Sequence, residues 1–122
     1  MRPLVMIVDD ESDIRGALFD FLDDYDEFRL MLAESAEAAL GLLQQESADL
    51  CIVDMRLPGM NGKEFIREAS VQGLCSHFLL HTGSIDDNLD KDLKPFGLTK
   101  KDLLLKPCDN WRILDRIRAL IG

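Results

Sequence analysis

Short apolar runs punctuate this chain, and the stretches between them carry apolar residues at helical spacing. Leu4 to Val8 is uninterrupted, the pattern of a strand buried on both faces of a parallel sheet. Behind it, Ile14, Leu18, Phe21 and Leu22 recur on one face of a helix, with Ser12 as the predicted N-cap. Phe28 to Ala33 predicts a second strand. Ser35 then caps a helix whose Ala39, Leu42 and Leu43 form one face, and Ser47-Ala48 ends it. The third strand carries Cys51 to Val53, closing an apolar run that begins at Leu50. After a loop from Met55 to Met60, Asn61 and Glu64 have the spacing of a reciprocal capping box for a helix holding Phe65 and Ile66, with Gly73 as its stop. His77 to His81 and Leu103 to Leu105 predict strands four and five, and Asp109 caps a last helix with Ile113, Ile117, Leu120 and Ile121 inward.

The segment from Ser84 to Asp102 breaks this rhythm. Asp86-Asp87 is the predicted start of a short helix through Leu89 and Leu93, Pro95 and Gly97 interrupt it, and Thr99 to Asp102 reads as a turn. Elsewhere the alternation predicts parallel strands joined by right-handed crossovers, with helices on both faces of the sheet. The 122 residues are expected to form one domain, 1–122, that buries roughly two-thirds of its unfolded surface.

Polar signals stand at the ends of four of the runs: Asp9-Asp10, Asp54, Thr82 and Lys106-Pro107. Parallel strands deliver their C-termini to one edge, where open α/β sheets bind ligands. Carboxylates, a hydroxyl and an ammonium converging there suit a divalent metal and a phosphoryl group, with Asp54 the predicted phosphorylation site. Singly, each signal has a plainer reading. An Asp after a strand is often a turn or cap residue, Thr82 could cap a turn, and a Lys-Pro pair is common at helix starts. With 23 acidic residues, Asp pairs also arise cheaply, and Asp23-Asp24 and Asp86-Asp87 read as solvated faces. It is the ordered coincidence at four strand ends that favours a site.

Charge and cysteine usage narrow the picture. A formal charge of -9 argues against a direct grip on nucleic acid or anionic membrane. No apolar run approaches the about 18 residues of a membrane span, and no signal peptide is recognisable, so a soluble cytoplasmic domain is expected. Three cysteines, Cys51, Cys75 and Cys108, lack zinc or redox spacing and read as reduced thiols, Cys51 in the core. His77 and His81 alternate on one strand and read as packed or partly exposed residues, and Trp111 as packed against the sheet.

The ordered set Asp9-Asp10, Asp54, Leu57-Pro58-Gly59-Met60-Asn61-Gly62, Thr82-Gly83 and Lys106-Pro107 resembles the receiver domain of two-component response regulators, over essentially the whole chain. The resemblance implies a flavodoxin-like, doubly wound five-stranded parallel sheet in order 2-1-3-4-5. It implies that Asp54 accepts a phosphoryl group from a sensor histidine kinase or histidine phosphotransfer protein. Asp10 and Asp54 would ligate Mg2+ (or Mn2+) directly, Asp9 mainly through water, and the backbone carbonyl of Arg56 would complete the protein ligands. Thr82 and Lys106 would hold phosphoryl oxygens. Pro107 would shape the backbone after Lys106, where the family often has a cis bond. Arg56 and Ser84 occupy positions that modulate the lifetime of the phospho-aspartate, and a moderately slow hydrolysis is expected. A homodimer through the fourth helix, fifth strand and fifth helix is a further expectation, as is an attached or separate effector.

Three departures bear on output, one of them the Pro95-Phe96-Gly97 interruption between Thr82 and Lys106. Leu103 stands where the family usually has Tyr or Phe, which couples to the threonine, and Cys108 where it often has Phe. Leu103 and the irregular fourth-helix region keep a second reading in play, a receiver-like interaction scaffold that is not phosphorylated. A third, a small hydrolase with Asp9 as nucleophile, suffers because Asp9-Asp10-Glu11-Ser12 lacks the Asp-x-Asp-x-Thr/Val pattern of haloacid-dehalogenase-like phosphatases.

Overall fold

The computed structural model describes residues 2–85 and 88–122. Strands β1 (Leu4–Val8), β2 (Arg29–Ala33), β3 (Ala48–Val53), β4 (Cys75–Thr82) and β5 (Leu103–Leu105) alternate with helices α1 (Ser12–Asp23), α2 (Ala36–Leu43), α3 (Gly62–Val71), α4 (Leu89–Leu93) and α5 (Asn110–Ile121). All pairings are parallel, in order β2-β1-β3-β4-β5, as predicted.

Burial on both faces explains the unbroken apolar runs. Met6, Val8, Cys51, Val53 and Leu80 face α2, α3 and α4, where they meet Ala39, Phe65, Ile66, Leu89 and Leu93. Val5, Ile7, Leu50, Ile52 and Leu79 face α1 and α5, against Leu18, Leu22, Ile113 and Ile117. Each fully buried aliphatic of this kind contributes about 1.5–3 kcal/mol. The shared two-layer core fixes the register, because a one-residue slip would exchange the two faces.

Several expectations need correction. Ser12 is the first helical residue, not the cap; Glu11 occupies the N-cap without a side-chain bond. Strand β3 begins at Ala48 and β4 at Cys75, earlier than predicted, because flanking polar residues still join the ladder. Leu42 lies on the outer side of α2, exposed, while Ala39 and Leu43 are buried. Trp111 does not pack on the sheet: it is 50% exposed and meets Phe21 and Tyr25 edge to face, at 5.7 and 5.4 Å between ring centroids. The capping box of Asn61 and Glu64 is present, and Asp109 caps α5 as expected.

The irregular segment does contain a helix, only five residues long. Pro95 falls in a 3-10 turn at Lys94–Phe96, and Gly97, at φ 89°, turns the chain away. The expected start at Asp86-Asp87 lies outside the described residues. The Thr99 to Asp102 turn is tied to α5: the buried Asp102 carboxylate accepts the Thr99 N–H at 2.8 Å and Arg116 Nε at 2.7 Å.

Candidate functional site

Backbone register assembles the site before any side chain is considered. Val8 pairs with both Ala33 and Val53, so Asp9 and Asp54 follow adjacent strands at the same level. The ladder runs one residue further through them, with the Asp54 N–H donating to Val8 O at 3.0 Å and the Asp9 N–H to Ala33 O at 3.1 Å. On the other side Thr82 pairs with Leu105, and the Lys106 N–H donates to Thr82 O at 2.7 Å. Four signals separated by up to 97 positions in the chain thus reach one edge.

Side chains complete the approach. Lys106 Nζ donates to Asp9 Oδ2 at 3.0 Å and Asp54 Oδ2 at 3.1 Å, with Glu11 3.9 Å away. Burial disfavours the charge on Lys106, but its hydrogen bonds to Asp9 and Asp54 outweigh this and raise its pKa above the ordinary value. Carboxylate oxygens of Asp9, Asp10, Glu11 and Asp54 all lie within 4.8 Å of one another. An all-oxygen donor set of this kind fits a hard divalent cation. Asp9 and Asp54 are buried, whereas Asp10 is exposed and, among the described residues, has no hydrogen-bond partner. Glu11, which sequence reasoning did not single out as a ligand, joins them only because the turn into α1 folds it back.

The loop after Asp54 is held from three directions. The Arg56 N–H donates to Asp54 Oδ1 at 3.2 Å, Gly62 N–H to Met55 O at 2.9 Å, and Met60 N–H to Glu37 Oε2 of α2 at 3.0 Å. That last bond holds the Glu37 carboxyl below its usual pKa. Gly62 is required by space, since a Cβ there would stand 2.3 Å from Asp54 O. Glu37 was missed in the sequence because its contact joins α2 to a loop more than twenty positions away.

The other half of the site is less complete. Thr82 is fully buried, and its Oγ1 has no hydrogen-bond partner among the described residues. Leu103 pairs with Leu80 and is half-buried, with Leu105 exposed on the edge strand. Arg56 and Ser84 line one cavity of about 500 Å³ beside the site, which brings together the two positions expected to modulate the phospho-aspartate. The Lys106-Pro107 bond is cis. His81 is buried, below Lys106; burial first and the Lys106 charge second lower its pKa, against an opposing pull from Asp9 and Asp54. No described helix is long and apolar enough to cross a membrane.

The chain is similar to known proteins in sequence and fold. The transcriptional regulatory protein CiaR of Streptococcus pneumoniae is 29% identical over 119 residues, a match that covers 96% of this chain and 50% of CiaR. The chain thus spans about half the length of that relative. The signal receiver domain of an HD domain-containing protein from Pseudomonas fluorescens Pf-5 superposes with a TM-score of 0.88 at 29% identity, covering 99% of this chain and 95% of that one. The chemotaxis protein CheY4 of Vibrio cholerae matches in fold, with a TM-score of 0.88 at 24% identity over 99% of this chain and 100% of its own. The family model of the response regulator receiver domain matches residues 5–118, and the chain belongs to that family.

Proposed function

We propose that residues 1–122 form a single phosphoacceptor domain of a two-component relay, with Asp54 taking a phosphoryl group from a sensor histidine kinase or histidine phosphotransfer protein in the cytoplasm. The observation that carries this reading is the placing of Asp54, buried and paired with Lys106, within 4.8 Å of three further carboxylates at the sheet edge. Mg2+ is the proposed cation, with Mn2+ an alternative; Asp10 and Asp54 would hold it directly, Asp9 through water and Arg56 by its carbonyl. When bound, it supplies the positive charge that keeps these carboxylates ionised together.

The chain's own groups account for the transfer. A carboxylate oxygen of Asp54 forms the new bond to phosphorus as the bond to the donor's imidazole nitrogen breaks, and the departing imidazole takes its proton from solvent. Lys106, already at Asp54 Oδ2, compensates charge on the phosphoryl oxygens. Thr82 has a buried hydroxyl free to donate to one of them. The domain acts on itself rather than on a separate substrate, supporting its own phosphorylation and dephosphorylation. Arg56 and Ser84 flank the path of attacking water, and Arg56→Ala should shorten the lifetime of the phospho-aspartate; an unchanged or longer lifetime counts against that role. The signal would leave through the region from Ser84 to Lys101 to an effector, or through a homodimer formed by α4, β5 and α5.

Intact-mass measurement after incubation with Mg2+ and acetyl phosphate or phosphoramidate tests the central claim. One phosphate adduct, dependent on metal and absent in Asp54→Asn, is the expected result. No adduct under saturating donor favours the alternative, an interaction scaffold, for which Leu103 in place of the family's aromatic and the short α4 are the specific observations.

A further inference from the structure

Asp9 is saturated with hydrogen bonds. Its N–H donates to Ala33 O at 3.1 Å, Oδ1 accepts the Glu11 N–H at 2.9 Å, and Oδ2 accepts Lys106 Nζ at 3.0 Å. Its carbonyl oxygen is taken by a side chain of α1, Arg15, whose Nη1 donates to it at 2.7 Å. The next residue, Asp10, is the exposed and unpartnered member of the carboxylate cluster among the described residues.

The Asp9 carbonyl and the Asp10 N–H belong to one rigid peptide plane. Rotation about the Asp9 Cα–C bond turns that plane and carries Asp10 with it, and sheet pairing does not prevent it, because the ladder contact of Asp9 is made by the N–H on its other side. Arg15 holds the free edge of the plane. We propose that Arg15 is a positioning residue for the divalent cation, locking the Asp9–Asp10 peptide so that the Asp10 carboxylate is presented to the metal. The inference rests on the metal-site reading above, and it deepens that reading by adding a group that touches neither metal nor phosphoryl.

Two physical effects of Arg15 oppose one another, which makes the claim decidable. As a cation near the site, Arg15 repels a divalent ion, so its removal would tighten binding if charge were its whole influence. As a brace, its removal loosens a ligand, and loss of an outer support of this kind typically weakens metal binding by about tenfold. The two signs differ. Lysine keeps the charge and can still donate one hydrogen bond, but without the fork of the guanidinium.

The test is isothermal titration of the native chain, Arg15→Met and Arg15→Lys with Mg2+, without phosphodonor, alongside thermal melts of the metal-free proteins. The expected result is a Kd about tenfold weaker in Arg15→Met and intermediate in Arg15→Lys. An Arg15→Met Kd equal to or tighter than native overturns the positioning role, whatever happens to the melting temperature. Absence of Mg2+ binding by the native chain overturns the metal-site reading together with this inference, whereas native binding with an unchanged variant overturns the inference alone.

Discussion

The two sides of the sheet edge are finished to different degrees. On the side of β1 and β3, every polar atom of Asp9 has a partner, both Asp54 carboxylate oxygens accept a hydrogen bond, and the following loop is pinned to α2 by Glu37. On the side of β4 and β5, Thr82 keeps a buried hydroxyl without a partner among the described residues, Leu103 supplies no ring or hydroxyl, and α4 runs for five residues only. A buried polar group without a partner costs about 1–3 kcal/mol. The contrast teaches that the first side holds its charges in place by hydrogen bonds, and the second keeps donor capacity in reserve, as the proposed switch role of Thr82 requires.

The largest expected effect comes from breaking the finished side. Lys106→Met leaves two carboxylates, each with only 5% side-chain exposure, without their shared cation. Removing one partner of such a pair costs about 3–5 kcal/mol. Urea titration of the metal-free protein should show a loss of this order, smaller in excess Mg2+; equal losses with and without Mg2+ would break the link between Lys106 and the proposed cation at the carboxylate cluster.

Next comes the loop. Gly62→Ala puts a Cβ into the Asp54 carbonyl, and overpacking of this kind costs about 1–3 kcal/mol. The shift should appear in amide spectra around Asp54 and Arg56; a variant as stable as native, with an unmoved loop, would show that the close approach is not a constraint.

The unfinished side predicts the opposite sign. Thr82→Val removes the orphaned hydroxyl and should stabilise the unphosphorylated protein by about 1 kcal/mol, while reducing the spectral response to a phosphoryl analogue. Destabilisation would mean that the hydroxyl already has a partner. The native response should reach Ser84 to Lys101, and changes confined to the carboxylates would refute transmission through Thr82.

The smallest effect is a pH slope. Burial of His81 lowers its folded pKa below 6.5, so as pH falls through 6.5 the unfolded chain takes up a proton that the folded one refuses. Stability from this group is therefore full above pH 6.5 and is lost as pH falls toward the folded pKa. His81→Leu should flatten the slope of unfolding free energy just below pH 6.5 relative to native; parallel slopes would exclude His81 as its source.

Much of this was legible in the chain. Unbroken apolar runs signal strands buried on both faces, and Asp9, Asp54, Thr82 and Lys106 each stand one step past such a run or at its last residue. The errors share a cause. Ser12, Leu42 and Trp111 were assigned by local pattern, but a turn that folds Glu11 back, an uncovered outer side of α2, and the rings of Phe21 and Tyr25 decided their places.

The sequence by itself determined the parallel α/β architecture and the strand-end positions of Asp9, Asp54, Thr82 and Lys106, because hydrophobic period and strand-end chemistry are properties of consecutive residues. The tertiary structure alone decided which groups are finished and which are left open. Arg15 on the Asp9 carbonyl, Glu37 on the Met60 amide and Arg116 on Asp102 are contacts between elements, and the burial of the Thr82 hydroxyl without a partner among the described residues is set by the same packing. Their energies depend on distance and burial, and neither exists until the helices have packed onto the sheet.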